Sequence, residues 1–181
     1  TSNPSGTEFG WSYYYQNIYY ANAIINKKNE ITEGSEAEIN QLVGEAYFMR
    51  GYMHFLLVNL YGQPYTKEGA PTSKAIPLKL SLDLEEMPTR NTVEEIYASI
   101  LSDIENARQL INHKEWETGY NYRFSKLAVD AFESRVRLYK GEWQTAYNAA
   151  ERVLEQKSTL EDYNNNNSTD FQMPNTYTSV E

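Results

Sequence analysis

The chain has no cysteine and only two histidines among its 181 residues. Disulfides and thiolate metal sites are therefore excluded. His54 and His113 fall in different segments, and neither has a second ligand at metal-binding spacing. His54 reads as a packed histidine inside a helix, and His113 as an exposed loop residue. Basic residues are in the minority, 16 against 25 acidic ones, for a net charge of −9. A nucleic-acid backbone and an anionic lipid surface both require a basic face, so both are argued against as partners. The chain has no glycine-rich phosphate loop, no GxSxG and no HExxH. No uncharged apolar run is long enough to span a bilayer, and no signal-peptide core follows Thr1. At this length the chain is one domain or part of one, large enough to bury about 70% of its unfolded surface.

Aromatic residues are what the chain has in abundance: 16 Tyr, 6 Phe and 3 Trp. A tyrosine ring offers a flat apolar face and a polar tip, which suits partners that are both apolar and hydroxylated.

The chain is organised around Gly44 to Pro64. Ala46, Met49, Met53, Leu56, Leu57 and Leu60 recur at helical spacing, and Tyr47, Phe48, Tyr52 and Phe55 fill much of the remaining circumference. A helix apolar nearly all round is expected to be buried on several sides. Arg50 and His54 within it argue against a membrane span. Ser35 and Glu38 form a capping box at its start. Gly62 is expected to end it in the left-handed region, and Pro64 prevents resumption. Further helices are expected at about 12–27, 92–112, 124–140 and 142–156, with Thr92 and Glu95 as a second capping box. In the last helix Trp143, Ala146, Tyr147, Ala150, Val153 and Leu154 are expected to face inward. Residues 63–90 hold four prolines and little periodicity, and read as a long irregular connection. From 157 to 181 the chain reads as a polar tail, with a mobile loop at Asn164 to Asn167. The fold class is all-α, with antiparallel helix pairs stacked as in tetratricopeptide repeats.

Glu45 and Arg50 lie on the most apolar helix, and their spacing does not put them on one face. Asp103 and Arg135 are the candidate partners, being charges on otherwise apolar surfaces. All four read as structural ion pairs, because a buried charge must be paired. A catalytic carboxylate pair is the alternative, weakened because arginines would hold the carboxylates ionised. Asp83, Glu85 and Glu86 read as a solvated loop, since calcium needs oxygens converging on one point.

A glycan site is an aromatic platform with amide, carboxylate or guanidinium neighbours for the hydroxyls. Trp116 and Tyr120 share a loop with Asn112, Glu115 and Asn121, so this composition fits. Trp11, beside Tyr13, and Tyr65, at the start of the long connection, are further candidates. Trp116 reads equally as a binding platform or a loop anchor. Trp11 reads more readily as packed, and Trp143 and Tyr147 as core.

GEAYFMRGYMHFLLVNLYGQPY resembles the signature of the SusD/RagB family. Three other stretches resemble the family in the same order. The first is Trp11, Tyr15, Ile18, Ala21, Asn22 and Ile25. The second joins Pro88, Arg90, Thr92, Glu95 and Tyr97 to Asp103 and Ile104. The third is Ala128, Arg135, Val136, Leu138, Tyr139, Gly141, Trp143, Ala146 and Val153. The resemblance implies a SusD-like, loop-rich helical fold and a nutrient-binding lipoprotein at the outer-membrane surface of a Bacteroidetes-type bacterium. It further implies an oligosaccharide or peptide ligand, handed without bond cleavage to a SusC-like TonB-dependent receptor. No cofactor or metal is implied. Family members are longer, with an N-terminal lipid anchor and a C-terminal portion, so the chain is expected to be an internal helical piece, with a strand beginning near Val180. Ligand contacts in the family come largely from variable loops, so no motif position carries a binding role across. The competing readings are a helical-repeat adaptor for a protein or peptide, and a glycan-active enzyme. The enzyme reading lacks a carboxylate pair at a readable spacing.

Overall fold

A computed structural model describes residues 10–83 and 85–159. The N-terminal residues, the polar run at Asn164 to Asn167 and the strand expected near Val180 lie outside them. Five helices form the body: α1 (Trp11–Asn26), α2 (Glu36–Tyr61), α3 (Val93–Leu110), α4 (Lys126–Lys140) and α5 (Trp143–Leu154). The helix ends lie within two residues of those read from the sequence. Both capping boxes form, with Ser35 and Thr92 each accepting from the amide three residues on while Glu38 and Glu95 reach back. Those donors hold the Glu38 and Glu95 carboxyls below the usual glutamate range.

Among the described residues the fold is all-α apart from one small sheet. The connection 63–90 is more ordered than its prolines suggest. β1 (Lys74–Pro77) pairs antiparallel with β2 (Arg90–Thr92), which runs straight into α3. Ala70, Ala75 and Ile76 sit in the core. The Arg90 side chain donates to the carbonyls of Lys74 and Ala75, and Asn91 accepts from the Leu78 amide. The segment is thus stitched back onto its middle by side chains at its C-terminal end, which no periodicity reveals.

α2 is the central helix, packed between α1 and α3. Its most buried positions include Gly44, Phe48, Gly51, Phe55 and Val58. Of the apolar stripe read from the sequence, Ala46 and Leu57 are buried, Met49, Met53 and Leu56 are half-buried, and Leu60 is exposed. Closest approach is set by glycine. A Cβ on Gly44 would lie 2.8 Å from Ile111 Cγ1 and 2.9 Å from the Ile111 amide nitrogen. One on Gly51 would lie 3.1 Å from Asp103 Cβ. Gly62 ends α2 in extended conformation, with φ −99°, and not in the left-handed region. It is glycine for lack of space: a Cβ would lie 2.6 Å from the Val58 carbonyl oxygen. Gly141, with φ 82°, is the helix end that does go left-handed.

The ion pairs depart in part from expectation. Arg50 grips Asp103 of α3 with two donors, Nε to Oδ2 at 2.9 Å and Nη2 to Oδ1 at 2.5 Å. Its Nη1 donates to Asn22 Oδ1 of α1 at 2.9 Å. Asn22 in turn donates to the carbonyl of Lys79 at 3.0 Å. One guanidinium therefore ties three helices and the long connection. Burial pushes the Asp103 carboxyl up, and the Arg50 donors pull it back. Glu45 pairs with Arg123, not with Arg135. Arg135 is exposed on α4, because the α4 face turned toward the core is set by Leu127, Val129, Phe132 and Val136. A second network joins α3, α4 and α5: Arg108 and Arg152 both contact Asp130 and Glu133.

Trp143 and Tyr147 are not core residues. Their relative exposures are 64% and 58%. α5 meets α4 through its small residues, Ala146 and Ala149, so the larger residues are turned outward.

Replacing Gly44 by alanine is expected to cost about 1–3 kcal/mol, because the neighbour includes backbone that cannot swing away. Asp103→Ala leaves the Arg50 charge buried and unpaired, with an expected cost of about 3–5 kcal/mol. Urea denaturation checks both, and unchanged midpoints would contradict the close α2–α3 packing. His54 is fully buried, with neither ring nitrogen hydrogen-bonded among the described residues. Burial, and then the Arg50 charge, push its pKa down to about 3. Between the ordinary 6.5 and about 3 the unfolded chain binds the extra proton. Stability is therefore full above pH 6.5 and falls as pH drops through that window, by at most roughly 1.4 kcal/mol per pH unit. Denaturation of the native protein and of His54→Phe from pH 7 to pH 4 should show a shallower loss in the variant. Parallel curves would show that His54 takes up its proton in the folded state.

Candidate functional site

The loop between α3 and α4 is where the sequence-derived candidates Trp116, Tyr120 and Asn121 come together. Its base is fixed by Gln41, a buried amide on α2. Gln41 Oε1 accepts from the amides of Asn112 at 2.9 Å and His113 at 3.1 Å. Its Nε2 donates to the Phe124 carbonyl at 3.0 Å and to Glu45 Oε1 at 2.7 Å. One side chain thus closes both ends of the loop. Asn112 adds a bond to the Ala37 carbonyl at 2.7 Å, and the Lys126 amide bonds the His113 carbonyl at 2.9 Å. Sequence reading missed Gln41. The signal available was an uncharged amide one turn ahead of Glu45 and just before Val43, Gly44 and Ala46.

Glu45 and Arg123 form the next layer. Arg123 Nε lies 2.8 Å from Glu45 Oε2, and Nη2 lies 2.6 Å from Oε1. This forked pairing raises the Arg123 pKa. The Arg123 guanidinium carbon lies 4.4 Å from the centroid of the Trp116 ring. His113 stacks on the same indole with centroids 3.8 Å apart and an interplanar angle of 12°. The indole N–H donates to the Phe124 carbonyl at 2.9 Å. Trp116, half-buried and contacted by both groups, is built into the loop as its anchor.

The accessible rings lie beyond it. Tyr120 lies 6.2 Å from Trp116, and Tyr122 lies 6.2 Å from Tyr120, with interplanar angles of 36° and 38°. Their relative exposures are 44% and 66%. Asn121, between them, accepts from the Gly119 amide at 3.2 Å, and Gly119 takes φ 100° to make the turn. Asn112, Glu117 and Asn121 are among the exposed polar side chains of the same loop. Tyr122 was not among the sequence-derived candidates, although the Tyr-Asn-Tyr alternation brings both rings forward. Chemically, the loop offers two flat faces, amide donors and acceptors, and an arginine already neutralised by Glu45.

The other candidates lie elsewhere. Trp11 packs on Tyr15 at 4.9 Å and edge-on to Tyr61 at 4.8 Å. Tyr61 lies about 24 Å along α2 from Glu45, at the usual helical rise. Tyr65 packs edge-on to Tyr97 at 5.0 Å and under Lys140. Both are half-buried packing residues. The acidic cluster of the long connection is tied internally, with Lys79 bonded to Glu86 and to the Asp83 carbonyl. Among the described residues no helix is long and apolar enough to cross a membrane.

Gln41→Leu removes the partners of two amides and one carbonyl, each worth about 1–3 kcal/mol if left buried and unpaired. Amide exchange at Asn112 and His113 is expected to accelerate at least tenfold in this variant. Unchanged protection would mean that the loop is held by something other than Gln41.

The profile of the SusD-like family, described as starch-binding and associating with the outer membrane, matches residues 4–138. SusD-like protein P38 of Formosa agariphila is 31% identical over 151 residues, covering 83% of this chain and 27% of the relative. A SusD superfamily protein from Bacteroides thetaiotaomicron superposes with a TM-score of 0.78 at 28% identity, over 91% of this chain and 40% of that one. A laminarin-binding SusD-like protein superposes with a TM-score of 0.72 over 89% of this chain and 33% of its own, where 22% identity makes the likeness one of fold. The chain spans 27% and 28% of the length of the two curated relatives it matches. On the profile and the identity to a curated relative together, this chain belongs to the SusD-like family.

Proposed function

We propose that the protein carrying this chain binds an oligosaccharide at the outer-membrane surface and passes it to a SusC-like TonB-dependent receptor, without cleaving it. The protein would be a surface lipoprotein, with this chain as part of its binding body. The supporting observation is the pair of exposed rings, Tyr120 and Tyr122, held out from an anchored Trp116 on a loop closed by Gln41. Pyranose rings present C–H faces to such platforms, and Asn112, Glu117 and Asn121 would meet the hydroxyls. A loop already fixed in place loses little entropy when the ligand arrives. The net charge of −9 favours a neutral glycan, or a basic peptide, over an anionic polysaccharide. Trp116 has the role of a support, and Trp11 and Tyr65 stand outside the site. The adaptor reading calls for a groove lined by helix faces, whereas these rings are presented by a loop.

Affinity electrophoresis of the full-length protein against neutral plant, host and fungal polysaccharides tests this reading. One class should retard the native protein. Tyr122→Ala should weaken that retardation about tenfold, the equivalent of roughly 1.4 kcal/mol, without lowering the melting temperature. Retardation unchanged in both Tyr120→Ala and Tyr122→Ala would remove the loop as the binding face. No retardation on any glycan would remove sugar as the ligand.

A further inference from the structure

The Glu45–Arg123 pair stands directly behind the exposed rings. Arg123 is the residue after Tyr122, and its guanidinium lies within electrostatic reach of the Tyr122 and Tyr120 hydroxyls. Its Nε and Nη2 are taken by the Glu45 carboxylate, whereas Nη1 has no partner among the described residues. Glu45 is itself fixed in place. It projects from the middle of α2, is half-buried, and also accepts from Gln41 Nε2 at 2.7 Å.

This arrangement bears on the charge of the ligand. A guanidinium fork matches a carboxylate in shape, two donors to two oxygens. Here the fork is already filled by a carboxylate of the same chain. An acidic sugar arriving at Tyr120 and Tyr122 meets a pair with no net charge. To reach the fork it has to displace Glu45, which leaves that carboxylate half-buried and without its cation. A neutral sugar displaces nothing, and its hydroxyls can accept from Nη1 while the rings take its C–H face. Of the loop's other carboxylates, Glu115 is bonded to Lys157, and Glu117 is exposed and repels an anion as well. Specificity of this kind comes from a penalty placed against the wrong ligand.

We infer that Glu45 is the specificity-determining residue of the α3–α4 loop. By occupying the Arg123 fork it excludes uronic acids and other carboxylated sugars, and it leaves Arg123 Nη1 as a donor to a neutral sugar hydroxyl. The inference rests on the loop being the glycan-binding face. It is distinct from the effect of the overall charge, because a single residue carries it.

Affinity electrophoresis of the full-length protein tests it on a matched pair of polymers. One is the neutral polysaccharide that retards the native protein, and the other is the same polymer oxidised at its primary hydroxyls to uronate. The native protein should be retained better by the neutral form. Glu45→Gln keeps the shape and frees the fork, and should shift the ratio of retentions about tenfold toward the acidic form. That gain should vanish at about 1 M salt, where charges act over only about 3 Å. It should vanish equally in Glu45→Gln/Arg123→Gln. Glu94→Gln, which removes the same charge from an exposed position at the far end of α3, should leave the ratio as it is. An unchanged ratio in Glu45→Gln, while Tyr122→Ala still lowers retention, would overturn the inference and spare the loop. A gain that persists without Arg123 would overturn it too. Retention that survives both Tyr120→Ala and Tyr122→Ala would remove the loop reading and the inference with it, as would no retention on any neutral polymer. If Glu45→Gln melts early, Arg123→Gln answers in its place. It leaves the Glu45 charge bare, so the ratio should move about tenfold the other way, and an unchanged ratio would contradict the role of Glu45.

Discussion

A guanidinium enclosed in the middle of a helix has few acceptable surroundings, and those surroundings fix the arrangement of this chain. Arg50 must find acceptors on every side, because a buried unpaired charge costs several kcal/mol. It finds two oxygens of Asp103 on α3 and one of Asn22 on α1. Asn22 then spends its own amide on the carbonyl of Lys79, so the long connection is drawn to the same point. Gly51 allows α3 to come near enough for the Asp103 contact, with a space that even a methyl group would crowd. Close approach and buried charge thus require each other. Neither the glycine nor the pair is useful alone.

The same helix builds the candidate site at its other end. Gln41 and Glu45 are one turn apart, and both reach to the α3–α4 loop rather than into the apolar core. Gln41 satisfies backbone groups from both ends of that loop, and Glu45 holds Arg123 over Trp116. The loop carries its two exposed tyrosines as a consequence of this support. α2 therefore links the packing of the body to the presentation of the rings, and the family resemblance is concentrated on it for a physical reason.

The sequence made the helices legible because their signals are local. Capping boxes at Ser35 and Thr92 and the glycine at 141 act within a turn, and the structure agrees within two residues. What was not legible depends on distance in the chain. Glu45 was expected to pair with Arg135, and it pairs with Arg123, a loop residue whose position no helical period predicts. Trp143 and Tyr147 were expected inside because they are large and apolar. Alanines took the interface instead, since α4 and α5 approach where side chains are small. The stripe drawn through Met49, Met53 and Leu60 was displaced for a similar reason: Gly44 and Gly51 mark the deepest line of α2, and a count of apolar side chains gives glycine no weight. In the candidate site the composition of the loop was readable and its division of labour was not. Trp116 stands as anchor because its N–H and its ring have partners at Phe124, His113 and Arg123, which only the folded chain brings near.

The most direct measurement is a crystal structure of the full-length protein with the oligosaccharide that it retains. The account predicts sugar rings lying on Tyr120 and Tyr122, with hydroxyls within hydrogen-bond distance of the Asn112, Glu117 or Asn121 side chains and Trp116 unmoved from His113 and Arg123. A glycan bound elsewhere, with the 112–123 loop empty, would contradict it and would leave these residues a purely structural role.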